Sequence, residues 1–131
     1  MGTVLIVEDE DQVRVLAESY LREQGHQTVS AATREEALAV FDVVDRVDVM
    51  FTDVILKGDI HAGLDLAKEA VQRRPELKVL FTTGSAVTDG MKAMMVDKSS
   101  VLEKPYTVDQ LQTALSVHFG INPNPDGSLG A

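Results

Sequence analysis

Along this 131-residue chain, short unbroken apolar runs alternate with longer stretches of helical spacing. Val4 to Val7 is continuous and apolar, the pattern of a strand buried on both faces. Asp11 to Gln24 follows with Val13, Leu16, Ala17, Tyr20 and Leu21 on one helical stripe, and Gly25 supplies a stop. Gln27 to Ala31 reads as a weaker second strand. Thr33 and Glu36 have capping-box spacing and lead into Ala37, Leu38 and Phe41 on a helix face. Val47 to Thr52 is a third apolar run. Gly63 precedes Leu64, Ala67 and Val71, a third helix that Pro75 ends. Val79 to Thr82 is a fourth strand, and a short Met-containing helix is expected near Thr88 to Val96. Val101 and Leu102 form a short fifth strand. A second capping box, Thr107 with Gln110, opens a last helix through Leu111, Ala114, Leu115 and Phe119.

Five strands alternating strictly with five helices predict an α/β fold, a doubly wound parallel sheet with helices on both faces. The length suits one domain with a proper core. The expected division is a folded unit over residues 1–119 and a flexible tail over residues 120–131, which holds two Pro and three Gly. Composition narrows the function classes. There are no cysteines, so disulfides and thiolate metal sites are excluded, and a cytoplasmic setting fits. No apolar run approaches the roughly 20 residues of a membrane span. The net charge of −9, without a basic patch, disfavours direct nucleic-acid binding.

Ligands of open α/β sheets bind beyond the carboxyl ends of the strands. On the predicted elements, Glu8 and Asp9 follow strand one and Asp53 follows strand three. Thr82, Thr83 and Gly84 mark the end of strand four, and Lys104 and Pro105 that of strand five. In "VLIVEDED" four carboxylates adjoin one strand. If strands one and three are neighbours, Asp9 and Asp53 lie a few Å apart. Two such charges at about 5 Å repel by roughly 3 kcal/mol at an effective dielectric of about 20. A hard divalent ion relieves this, and Mg2+ favours carboxylates, water and phosphate oxygens. Taken alone, Glu8 and Asp9 read equally as helix-start acids, the role that suits Glu10 and Asp11 better. Asp53 has the chemistry of a phosphoryl-accepting nucleophile, with Lys104 as a neutralising charge and Thr83 as a hydroxyl donor. The scattered histidines His26, His61 and His118 read as surface residues.

The ordered set "IVEDE", "VMFTD", "LFTTG" and "LEKPY" resembles the receiver domain of bacterial two-component response regulators, over about residues 3 to 119. The resemblance implies a flavodoxin-like sheet of strand order 2-1-3-4-5 and a phosphorelay function. It implies that Asp53 is the phospho-accepting aspartate, that Asp9 is a direct Mg2+ ligand with Glu8 acting through water, and that the Ile55 carbonyl completes the protein ligands. It further implies that Thr83 is the switch hydroxyl, that Lys104 contacts the phosphoryl group, and that Pro105 follows a cis peptide. The implied donor is a phosphohistidine on a sensor histidine kinase or a histidine phosphotransfer protein. Output would pass through helix 4, strand 5 and helix 5 to a protein target, or to a second copy in a homodimer. Such a chain catalyses its own phosphorylation and dephosphorylation without being a conventional turnover enzyme.

Three positions depart from the pattern. Lys57 stands where the family usually has proline, in a loop, "LKGDIHAG", about two residues longer than common. Val101 replaces the switch aromatic, leaving Met91, Met94 and Met95 as packing or as substitutes. Ile55 is apolar where a polar side chain often faces the attacking water, which predicts slow autodephosphorylation. Alternatives are a phosphate sink or a constitutive protein-binding module. A flavodoxin-like flavin carrier is disfavoured because "EDED" would repel a phosphate. A haloacid-dehalogenase-type hydrolase needs a second Asp where Ile55 stands.

Overall fold

The computed structural model describes residues 2–84, 87–97 and 99–120. The tail expected over residues 120–131 lies outside them from residue 121 onward.

The chain alternates strand and helix throughout. The strands are β1 (Thr3–Val7), β2 (Gln27–Ala31), β3 (Val49–Asp53), β4 (Lys78–Thr83) and β5 (Ser99–Glu103). The helices are α1 (Asp11–Glu23), α2 (Arg34–Val43), α3 (Ala62–Arg73), α4 (Asp89–Met94) and α5 (Val108–Phe119). The sheet has the order β2-β1-β3-β4-β5, and every pair is parallel. The α/β class and the order 2-1-3-4-5 expected from the sequence are those observed.

Period-two alternation assigns each strand residue to one of two cores. Leu5, Val7, Met50, Val79 and Phe81 pack with Ala37 and Phe41 of α2 and with Leu64, Ala67 and Ala70 of α3. Val4, Ile6, Val49, Phe51 and Leu80 pack with Ala17 and Leu21 of α1 and with Leu111 and Leu115 of α5. Because β1, β3 and β4 are covered on both faces, they need apolar residues at every position, hence the unbroken runs. The edge strands β2 and β5 are only half-buried, and their apolar signal is correspondingly weak.

Boundaries differ from expectation in places that matter. Asp53 is the last residue of β3 and Thr83 the last of β4, so both lie within the sheet rather than beyond it. Their backbones are tied into the ladder: Val54 N–H donates to the Thr82 carbonyl at 2.9 Å, and Lys104 N–H to the Thr83 carbonyl at 2.9 Å. The fourth helix is six residues long, shorter than predicted. Met91, Met94 and Met95 pack against the α2–α3 core together with Val101. The Thr107–Gln110 capping box is complete. In the first box Thr33 accepts the Glu36 N–H, but the Glu36 carboxylate takes the Ala32 N–H instead of that of Thr33. The Lys104–Pro105 peptide is cis.

Candidate functional site

The same alternation that sorts the core brings the polar residues together. Glu8 continues the Val4–Ile6 face, and Asp53 continues the Val49–Phe51 face, so both emerge on the α1–α5 side at the carboxyl edge. Oxygens of Glu8, Asp9 and Asp53 all lie within 4.8 Å of one another. Glu8 and Asp53 are only 4% and 7% exposed, and Asp9 is half-buried.

Lys104 enters this cluster from β5. Its Nζ donates to Asp53 Oδ2 at 2.7 Å and to Glu8 Oε1 at 2.8 Å. To do so the side chain crosses β4, which lies between β5 and β3. The protein thus carries its own cation among the acids. Burial alone would pull the Lys104 ammonium down, but hydrogen bonds to Asp53 and then Glu8 outweigh it and hold the group protonated above its ordinary range. Burial pushes the Glu8 carboxyl up, against the lowering pull of Lys104 and of the Glu10 N–H, which donates to Glu8 Oε2 at 3.1 Å. Both Glu8 oxygens therefore have protein partners.

Asp9 and Asp53 are each held from the β3–α3 loop. Lys57 N–H donates to Asp9 Oδ2 at 3.0 Å, and Ile55 N–H to Asp53 Oδ1 at 3.3 Å. Ile55 itself is half-buried, with its side chain against the α2–α3 core. Thr83 is buried at 1% exposure at the end of β4, one position beyond Thr82, the register partner of Asp53. The structure thus brings Glu8, Asp9, Asp53 and Lys104 into direct proximity, with Thr83 and Ile55 on the adjoining strand end and loop.

Several contributors escaped the sequence reading. Arg14 donates to the Glu8 carbonyl at 2.9 Å and pairs with Asp11 at 2.6 Å, pinning the β1–α1 turn. The three-residue spacing of Asp11 and Arg14 on a helix was the available signal. Glu10 occupies the N-cap position without a side-chain cap bond, so of the two expected helix-start acids only Asp11 lies in the first turn. Gly63 lets the start of α3 lie on the end of β3: an added Cβ would overlap the Asp53 carbonyl oxygen and lie 2.8 Å from Val54 Cα. Tyr106 packs edge-on against Phe51, with centroids 5.6 Å apart. Burial, and then the negative charge of Glu8, push its hydroxyl up to about 12.

The histidine expectation needs one correction. His26 is 4% exposed, with Nε2 at 3.0 Å from Gln112 Oε1 and a buried Nδ1 that has no partner. Gly25, at φ 90°, turns the chain between α1 and β2, and the buried ring meets Gln112 of α5. His61 is exposed at the start of α3, and the side chain of His118 lies outside the described residues.

Three hard oxygen donors beside a cation-bearing lysine suit a small divalent ion such as Mg2+, which takes carboxylates together with water. The chemistry available is nucleophilic attack by a carboxylate, with the Lys104 ammonium beside it to meet negative charge on the group attacked.

The sequence pattern of the response regulator receiver domain matches residues 4–116. The sensor kinase CckA of Brucella abortus (strain 2308) is 32% identical over 116 residues, covering 87% of this chain and 12% of that protein. The chain therefore spans a small fraction of this curated relative. The crystal structure of the receiver domain from hybrid histidine kinase CckA superposes with a TM-score of 0.73 at 29% identity, covering 90% of this chain and 99% of that one. Response regulator protein TrrA from Thermotoga maritima, crystallised in complex with Mg2+–BeF, superposes at 0.75 with 25% identity, covering 90% and 99%. With the family pattern spanning every strand and an acidic cluster at the strand ends, the chain belongs to the response regulator receiver domain family.

Proposed function

We propose that the chain is a phosphorelay receiver that takes a phosphoryl group onto Asp53 from a phosphohistidine donor, with Mg2+ as cofactor. The carrying observation is the Lys104 ammonium on Asp53 Oδ2, 2.7 Å away, inside the acidic cluster. An Asp53 carboxylate oxygen attacks phosphorus, the phosphorus–nitrogen bond of the donor breaks, and an acyl phosphate forms. Lys104 and the Ile55 N–H orient the carboxylate, and Thr83 offers a hydroxyl to a phosphoryl oxygen. Asp9, Asp53 and the Ile55 carbonyl would hold the metal directly, with Glu8 acting through water. When bound, Mg2+ neutralises charge on the transferring group. That TrrA was crystallised with Mg2+–BeF supports the assignment.

The receiver unit in this reading is residues 1–119, acting in the cytoplasm, and its donor is a sensor histidine kinase or histidine phosphotransfer protein. Signalling would pass through the α4–β5–α5 face to a protein target or a second copy. One observation favours a second reading. Val101 is half-buried and carries no ring, so signalling by aromatic rotation is not available to this chain. A phosphate sink, holding the group without a large shape change, is the natural form of that reading.

The test is exposure to acetyl phosphate or beryllofluoride with Mg2+, comparing wild type with Asp53→Asn. Wild type should gain the mass of one phosphoryl group with acetyl phosphate and show amide shifts at the site with beryllofluoride, and the variant should do neither. Absence of any adduct on wild type overturns the proposal. Amide shifts confined to the site, sparing α4, β5 and α5, would select the sink.

A further inference from the structure

Among the described residues, one loop contact reaches the acidic cluster by a route that the receiver resemblance does not supply. Leu56 and Asp59 form an antiparallel bridge, with N–H to carbonyl distances of 3.2 and 3.0 Å in the two directions. Between them Lys57 has φ 52° and Gly58 φ 78°. Two consecutive left-handed residues define the mirror-image tight turn of a hairpin. Glycine adopts this backbone freely, whereas lysine is rarely found in it, so the surroundings must hold Lys57 there.

Those surroundings are visible on both sides. At the far end, Asp59 Oδ1 accepts the His61 N–H at 3.0 Å, the Asp59 carbonyl accepts the Ala62 N–H at 3.3 Å, and Gly63 N–H donates to the Val54 carbonyl at 2.9 Å. At the near end, the Lys57 N–H donates to Asp9 Oδ2 at 3.0 Å, across 48 residues of sequence. The N–H is thus offered from a turn whose two central residues are both left-handed. The Lys57 side chain is exposed and plays no part. A proline at this position fails twice, because its φ is fixed near −65° and it has no N–H.

We propose that the Lys57–Gly58 turn is a positioning element for Asp9: the Lys57 backbone N–H holds Oδ2, fixing the carboxylate so that it could ligate a metal at the acidic cluster. The inference rests on Asp9 being a metal ligand, as proposed above. Groups that orient a ligand from outside the coordination sphere commonly alter metal affinity by about tenfold or more. Because linkage is reciprocal, metal bound at Asp9 must in turn stabilise the turn. The β3–α3 loop is thereby coupled to occupancy of the site through its backbone.

The test uses the full chain and NMR titration with MgCl2, following the amides of Asp9, Asp53 and Lys57. Lys57→Gly keeps the N–H and suits the left-handed backbone, so its Mg2+ affinity should stay within about twofold of wild type. Lys57→Pro should weaken Mg2+ binding by about tenfold or more. Independently of any proline variant, the wild-type Lys57 amide should be protected from hydrogen exchange, more so with Mg2+, and Asp9→Ala should abolish that protection. If Asp9→Ala loses Mg2+ binding while Lys57→Pro binds like wild type, the role of the turn is overturned and the metal site stands. An unprotected Lys57 amide in wild type overturns it equally. If wild type binds no Mg2+, or if Asp9→Ala binds it normally, the metal reading fails and the turn's role fails with it.

Discussion

The Lys104 ammonium lies 2.7 Å from Asp53 Oδ2 after crossing an intervening strand, and the same nitrogen is 2.8 Å from Glu8 Oε1. Repulsion among the acids, which from sequence alone called for an external cation, is already partly met from within. The metal-free fold is therefore neutralised by a lysine that must share Asp53 with whatever else binds there.

Lys104→Met should expose that dependence. The variant leaves two largely buried carboxylates without their counter-charge, a defect expected to cost about 3 kcal/mol. Urea denaturation in EDTA should show the loss, and millimolar MgCl2 should recover part of it, since a ligand of the folded state adds stability by mass action. Equal losses with and without Mg2+ would contradict the shared-site picture.

Asp9→Asn removes one charge from the cluster while its amide oxygen can still accept the Lys57 N–H. Metal-free stability should rise by about 1 kcal/mol as repulsion is relieved, while Mg2+ binding weakens. Chemical denaturation paired with a Mg2+ titration checks both signs. A destabilised metal-free variant would argue against the cation site.

Gly63→Ala should be severely destabilising, by about 3 kcal/mol or more, because the added methyl meets the backbone of Asp53 and Val54 rather than a movable side chain. Thermal melts read the loss. In whatever fraction folds, amide shifts at Asp53 should show that the end of β3 has moved.

His26 predicts a pH effect far from the site. Burial lowers its pKa from the ordinary 6.5, against the opposing hydrogen bond to Gln112 Oε1. As pH falls below 6.5 the unfolded chain takes the proton first. Stability is therefore full above that value and declines below it, by at most about 1.4 kcal/mol per pH unit for one group. Urea midpoints at pH 7.5 and 5.5 should differ less in His26→Gln than in wild type.

On the proposed Asp53 chemistry, loss of phosphoryl should be slow in wild type, because Ile55 turns an apolar side chain to the α2–α3 core and offers the site only its N–H, leaving no polar side chain at that position to orient water. Decay of phosphoprotein on Phos-tag gels gives the rates. Wild-type label lost within seconds would refute the slow-hydrolysis expectation.

Much of this molecule was legible because doubly covered strands demand apolar residues at every position. Val4 to Val7 and Val79 to Phe81 could be read as buried strands without neighbours in view. The Thr107–Gln110 box was equally legible, since its two hydrogen bonds are local. The candidate site could be foreseen because strand ends in parallel sheets share one edge, and that rule carries Glu8, Asp9, Asp53, Thr83 and Lys104 together. His26 was misread for the complementary reason: a polar residue after a glycine looks exposed until α5 is packed over it.

By itself the sequence determined the order of elements, the parallel sheet and the strand ends that carry each polar residue, because these follow from local periodicity and short-range hydrogen bonding. Only the tertiary structure decided that Lys104 pairs with both Glu8 and Asp53, that Lys57 offers its N–H to Asp9, and that Gly63 must lack a side chain. Those contacts join residues 48 to 96 positions apart, or depend on how closely α3 meets β3. Their geometry is set by how strands and helices pack, which no local pattern of residues encodes.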